Sequence, residues 1–341
     1  MNTLSNRTMP IAAIVAFSLS LLTAPDVTEA AHLSCNQMIT SNTELDADLD
    51  CEFSGTPGLI IAANNVTIDL NSFTITGGVS SFGVQSLGFD NVKIENGTIK
   101  GFLFGVFVDM AENVKLENLV IRDTLLHGIR VANSSSVTIE NLSLFGPPRD
   151  MTIGRAILLQ AVDGFTVDNV DVHGYFDGVL IICVSTPDCI PGPGRPNIDG
   201  AVTNSTFSDT SGVVLLNATN VEISGNHISN CNIPQDTFCN GIVVSRSSEI
   251  EVKNNYVHDN LSGIVLVIDV TDSQISANHV FDNTGVGINL VATIPGSTDN
   301  EIKSNITFGN TIDLAHGVPS SPNEWKNNSC VTKDGGDIPE C

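Results

Sequence analysis

The pair with the clearest capacity for acid–base chemistry is Asp171-Val172-His173. A histidine oriented by a carboxylate titrates near neutral pH and can take or return a proton. On an extended strand, residues two apart face the same way, so both side chains would point outward together. Arg122 is expected nearby, where a fixed guanidinium would stabilise developing negative charge on a sugar. A second set, His227, Tyr256, His258 and His279, supplies imidazoles and a phenol suited to sugar rings and hydroxyls. Arg130 joins it as a substrate-binding candidate, within a gathering of Arg122, Arg130, Arg149 and Arg155 in an otherwise acidic chain. Asp259 and Asp282 end two of the same segments; calcium is the cation they would take, although turn chemistry also accounts for them. No metal ligand set is assigned, because His227 and His279 should stand two strand spacings, roughly 9–10 Å, apart.

These residues recur because the chain repeats. An apolar residue is followed five positions later by another in Ile68/Phe73, Ile94/Ile99, Leu116/Ile121, Ile139/Leu144, Val167/Val172, Val202/Phe207, Ile223/Ile228, Val252/Val257 and Ile275/Val280. Ile302/Thr307 keeps the spacing with a threonine. After most pairs comes a glycine leading β-branched alternation, as in Gly128-Ile129-Arg130-Val131 and Gly263-Ile264-Val265-Leu266. A step of about 22 residues with insertions is one three-strand coil of a parallel β-helix, whose layers bury one another by stacking. The expected fold is an all-β, right-handed parallel β-helix of about ten coils. Segment 31–57, clipped by Cys35–Cys51, and segment 316–341, clipped by Cys330–Cys341, are expected to cap it, with the solenoid over 58–315. Asparagines recur two residues after the first apolar member at Asn96, Asn118, Asn141, Asn169 and Asn204, then three after it at Asn226, Asn255, Asn278 and Asn305. The expectation is one interior ladder of amides, a poor place for a glycan despite several N-x-[ST] sequons.

Composition restricts the function. The formal net charge is −24, with 38 acidic and 14 basic residues, which repels nucleic acid and anionic membranes. Aromatics are only 5% against 41% hydrophobic residues, so the core must be aliphatic. Residues 1–30 read as an export signal: Arg7, then an apolar run from Ile11 to Leu22 too short to span a bilayer, then the small-residue site Thr28-Glu29-Ala30. Export to a secreted or periplasmic destination makes the eight cysteines disulfides, with Cys183–Cys189 and Cys231–Cys239 completing the close pairs. Outward positions of the Gly-led strands are apolar (Leu158, Leu180, Val214, Val243, Val265), so that face is covered by loops or docks a protein partner or a second copy.

The stretch Asn64-Asn65-Val66-Thr67-Ile68-Asp69-Leu70-Asn71-Ser72-Phe73-Thr74-Ile75-Thr76-Gly77 resembles the opening coil of right-handed β-helix repeat proteins of the pectate-lyase-like group, which includes NosD-like periplasmic proteins. That resemblance covers about Gly58 to Asn310 and implies the solenoid fold and a polysaccharide partner. Its enzyme branches imply lyase, epimerase or hydrolase chemistry, although the N-T-D, D-D, G-H-G and R-I-K elements of polygalacturonase-type hydrolases are missing here. The expected function is binding of an extracellular polysaccharide, with cleavage or modification by Asp171, His173 and Arg122. Non-catalytic glycan binding and docking of a protein partner are the alternatives.

Overall fold

A computed structural model describes residues 30–147, 154–183, 199–231, 239–317 and 322–341. Its strands pair in parallel, each coil lying in register on the next, in a solenoid of about 11 turns. Among the described residues there is no helix, and none long and apolar enough to cross a membrane. Three walls run the length of the stack. The first holds the Gly-led strands, such as Asp177–Ile182, Ser211–Leu216 and Asn240–Ser245. The second holds Gly200–Thr203, Val221–Ser224 and Glu251–Lys253, and the third holds Thr206–Ser208, His227–Ser229 and Tyr256–His258.

Alternation along each strand sends aliphatic residues inward, where Ile94, Leu116, Ile139, Val167, Val202, Ile223, Val252, Ile275 and Ile302 form one fully buried column. The leading glycines stand where neighbouring coils approach too closely for a side chain. A Cβ on Gly212 would lie 2.4 Å from the carbonyl oxygen of Gly241, and one on Gly263 would lie 2.5 Å from that of Gly287. The first coil departs from the five-residue spacing: Ile75, not Phe73, pairs with Ile99 and is fully buried. Two consecutive left-handed residues, Asn71 and Ser72, lengthen that turn and shift the inward position.

Both terminal segments continue the stack. Gln37–Ile39, Thr43–Leu45 and Leu49–Cys51 each pair with a strand of the next coil, and Glu324–Lys326 pairs with Glu301–Lys303. Disulfides Cys35–Cys51 and Cys330–Cys341 clip these ends, and Cys231–Cys239 closes a third link. Cys189 lies outside the described residues, as do Arg149 and the proline-rich insertion after Cys183.

The outward second wall is a charge lattice. Lys93 bonds Glu95 and Glu117, and Lys115 bonds Glu117 and Glu140. Hydrogen bonds from Lys115 and then Lys93 hold the Glu117 carboxyl down at about 2. Lys253 and Lys326 repeat the motif with Glu222, Glu251, Glu301 and Glu324. This wall is saturated with its own partners, which leaves chemistry to the other two.

Candidate functional site

The outward face of the third wall consists of two columns. Strand register stacks Arg122, Phe145, His173, Ser208, Ser229, His258, Phe281 and Phe308 in one, and Val120, Ser143, Asp171, Thr206, His227, Tyr256, His279 and Ile306 in the other. Strand ends are set by left-handed residues at the following corner, among them Asp123, Gly174, Asp209, Asn230, Asp259, Asp282 and Gly309. Asparagine, aspartate and glycine tolerate that conformation best, so corner chemistry and the carboxylates it brings have one cause.

Asp171 and His173 meet as expected: Asp171 Oδ1 lies 2.9 Å from His173 Nε2. The imidazole is held on three sides. Phe145 stacks on it from the preceding coil at 5.5 Å with 4° between the ring planes, and Ser208 of the following coil hydrogen-bonds its Nδ1. Asp171 and His173 are half-exposed, so the dyad can reach a solvent-borne substrate.

Farther along, the rings assemble into stacks. His258, Phe281 and Phe308 are nearly parallel at 4.7 and 5.2 Å, and Tyr256 stacks on His279 at 4.8 Å. His258 also crosses to the other column, its Nε2 lying 2.7 Å from His227 Nε2 while Asp259 engages its Nδ1 at 2.7 Å. Two imidazole nitrogens so placed share one proton at most, and burial followed by the His258 charge lowers the His227 pKa.

A groove of about 740 Å³ opens beside this wall at the corner, lined by Ser208, Asp209, Asn230, Asp259, Asn260 and Asp282 together with neighbouring residues. Asp259 and Asp282 therefore face a cavity, one coil apart. Among the described residues no group of three or more histidine, cysteine, aspartate or glutamate side chains forms a metal-binding cluster.

Among the described residues, Arg122, Arg130 and Arg155 do not converge on the dyad. Arg122 shares the His173 column but lies two rungs away, with Phe145 between them, about 9–10 Å along the stack. Arg130 sits on the first wall, where it donates to Gln160 Oε1 at 3.0 Å and covers the Phe107 ring at 5.2 Å. Arg155 is on that wall too, bonded to Asp177 at 3.0 Å. Along the apolar column of the first wall, Leu158, Leu180 and Val265 are buried while Val214 and Val243 are half-buried.

The bond between Ser208 and His173, and Asp209 in the groove, are what reading the sequence did not supply, although the repeat places Ser208 on the rung after His173. The signal was present in the repeat: Ser208 occupies the same coil position as His173, but an intervening insertion separates them by 35 residues.

A family model described as "Right handed beta helix region" matches residues 38–144 and 155–336. The catalytic domain of an α-1,3-glucanase superposes with a TM-score of 0.62 at 15% identity over 89% of this chain, which spans 63% of that domain's length. The A-module of a mannuronan C-5 epimerase from Azotobacter vinelandii superposes at 0.58 with 15% identity, covering 88% of each chain. A surface adhesin of Streptococcus pneumoniae gives 0.52 at 12% identity, covering 87% of this chain and 83% of the adhesin. At such identities these likenesses establish the fold. No curated protein sequence matches the chain.

Proposed function

Because the chain belongs to the right-handed beta helix family, we propose that it is an exported protein that binds a polysaccharide along its third wall and modifies it there. One observation carries this reading. Two columns of stacked rings run beside a groove of about 740 Å³, and an oriented Asp171–His173 pair lies in the same columns. The outward edges of these stacked rings make a continuous apolar strip along the wall, and the carboxylates and amides of the groove suit the hydroxyls of a sugar chain. In this reading Tyr256, His258, His279 and His227 hold the chain. His173, kept in one orientation by Asp171 and Phe145, moves the proton. Arg122 extends the binding track rather than joining the dyad, and Arg130 serves the first wall. The names of the glucanase and epimerase neighbours support a carbohydrate ligand, and the disulfides support export. Docking of a protein through the first wall is less favoured, since Leu158, Leu180 and Val265 are already buried.

The test is to pass the mature protein over a panel of neutral and acidic polysaccharides. Co-elution is followed by size exclusion, and the recovered polymer is analysed for chain length and substituents. Retention on a polymer that comes back altered, with the alteration absent for Asp171→Asn and His173→Ala, is the expected result. Retention with an unaltered polymer would leave a binding module, and no retention on any polymer would remove the reading.

A further inference from the structure

The hydrogen bonds around His173 form a continuous Asp171–His173–Ser208 chain, and they fix the tautomer. A carboxylate at 2.9 Å from Nε2 holds the ring proton on that nitrogen, which leaves Nδ1 with a lone pair. The group facing that lone pair is the hydroxyl of Ser208. A hydroxyl hydrogen-bonded to an imidazole that a carboxylate orients is the arrangement of an activated serine nucleophile, here with the two ring nitrogens exchanging their usual places. Three strands of successive coils supply the parts: Phe145 fixes the ring plane from one side, Asp171 and His173 share the middle strand, and Ser208 stands on the other side. Ser208 is half-buried and is one of the residues that line the groove.

We propose that Ser208 is the nucleophile of an ester-cleaving site, with His173 as its general base, Asp171 as the residue that positions His173, and an acyl ester on a neutral sugar chain as substrate. This rests on the polysaccharide reading above and gives the modification its chemistry. Ser208 Oγ adds to the ester carbonyl carbon while its proton passes to His173 Nδ1. The bond from that carbon to the sugar oxygen then breaks, and His173 returns the proton to the departing sugar hydroxyl. Water repeats the sequence on the acyl-serine, releasing a carboxylic acid and restoring Ser208. Asp171 stays ionised and offsets the transient imidazolium through Nε2–H. Asn230 lines the same groove one coil on, and its amide donates to Ser229; its second N–H is the group we assign to the oxyanion. Asp209, Asp259 and Asp282 line the groove and the chain carries a net charge of −24, so a uronate is disfavoured and the ester sits on an uncharged sugar.

The mature protein is treated with a fluorophosphonate probe and digested, and the labelled peptide is sequenced by mass spectrometry. In parallel, acetate release from O-acetylated xylan is measured. Expected are an adduct on Ser208, no adduct at that position in Ser208→Ala, and acetate release reduced at least 100-fold in Ser208→Ala and His173→Ala. The absence of an adduct on Ser208 in the wild-type protein, or acetate release that persists in Ser208→Ala, overturns the proposal. Retention on unesterified xylan is read separately. Retention without labelling sinks the nucleophile and leaves the polysaccharide reading standing. Labelling and ester cleavage without retention on any polymer sink the polysaccharide reading and leave the nucleophile.

Discussion

The corners between the second and third walls are built in two ways along one solenoid, although from Asn96 onward each turns through a single left-handed residue. A left-handed residue occupies the turn in each coil, from Asn96, Asn118, Asn141, Asn169 and Asn204 to Gly225, Asn254, Ala277 and Ser304. The next residue points inward. In the first half it is apolar, Leu119, Leu142 or Val170, each almost fully buried. After Ser205 it becomes asparagine, and Asn226, Asn255, Asn278 and Asn305 form a buried chain. Each Oδ1 from Asn255 onward accepts both the backbone and side-chain N–H of the preceding coil's asparagine at 3.0 Å, while each Nδ2 also reaches a carbonyl at 2.9 Å. A second such chain, Asn260, Asn283 and Asn310, fills the other corner where the first half uses Phe102 and Tyr175. The same space is closed by dispersion and burial in one half and by saturated hydrogen bonding in the other. An apolar corner can give up one side chain locally, whereas an amide chain loses partners on both sides.

The most severe way to break this contrast is Asn255→Ala. It removes the acceptor of two Asn226 N–H groups and the side-chain donor to Asn278 Oδ1, which keeps only the backbone N–H of residue 255, and should cost on the order of 3–5 kcal/mol. Urea unfolding with an unchanged slope reads this directly, and a loss under 1 kcal/mol would refute the cooperative role of the ladder. Acid should separate the halves next. His127, packed against Phe104 on the first wall, has its pKa lowered from 6.5 to about 4 by burial, then by the Arg155 and Arg130 charges. Above pH 6.5 it is neutral folded or unfolded. Between 6.5 and 4 the unfolded chain binds a proton that the folded chain refuses, so stability falls by up to about 3 kcal/mol, and below 4 this loss is complete. His127→Gln should flatten that part of the pH dependence; an unaltered slope would assign it to other groups.

Effects on the outer face are smaller. Tyr256→Ala removes one stacked ring and should weaken polymer binding by about 1 kcal/mol, roughly fivefold, leaving the urea midpoint nearly in place. Equal retention of the variant and the wild type would take Tyr256 out of the binding track. At the exposed amide ladder, Asn118→Gly keeps the left-handed turn and loses only the 3.1 Å bond to Asn96. Its stability should change by no more than about 0.5 kcal/mol, and a shift as large as that of Asn255→Ala would erase the distinction between inner and outer ladders.

Those ladders mark where reading the chain linearly reached its limit. The expectation of one interior ladder holds from Asn226 onward, but Asn118, Asn141, Asn169 and Asn204 are exposed and Asn96 is half-buried. The shift from two residues to three after the apolar member was visible. Its meaning depends on which residue takes the left-handed turn, a property of the backbone. The sequons at Asn141 and Asn204 therefore lie on the surface, whereas those at Asn260 and Asn305 are buried. Asp171 and His173 were legible as a pair because strand alternation alone brings them to one face. The rung order Arg122, Phe145, His173, Ser208 was legible as well, since each follows the second apolar member of its coil; the hydrogen bond from Ser208 to His173 was not, because it depends on side-chain rotamers.

The sequence by itself determined the solenoid, its aliphatic core, its three walls and its charge lattice, since period and alternation are local properties that stacking merely repeats. Only the tertiary structure decided which side chains bond across the coils. That depends on rotamers and corner backbone rather than on the repeat, and it stacked Phe145 on the His173 ring and set the Ser208 hydroxyl on its Nδ1.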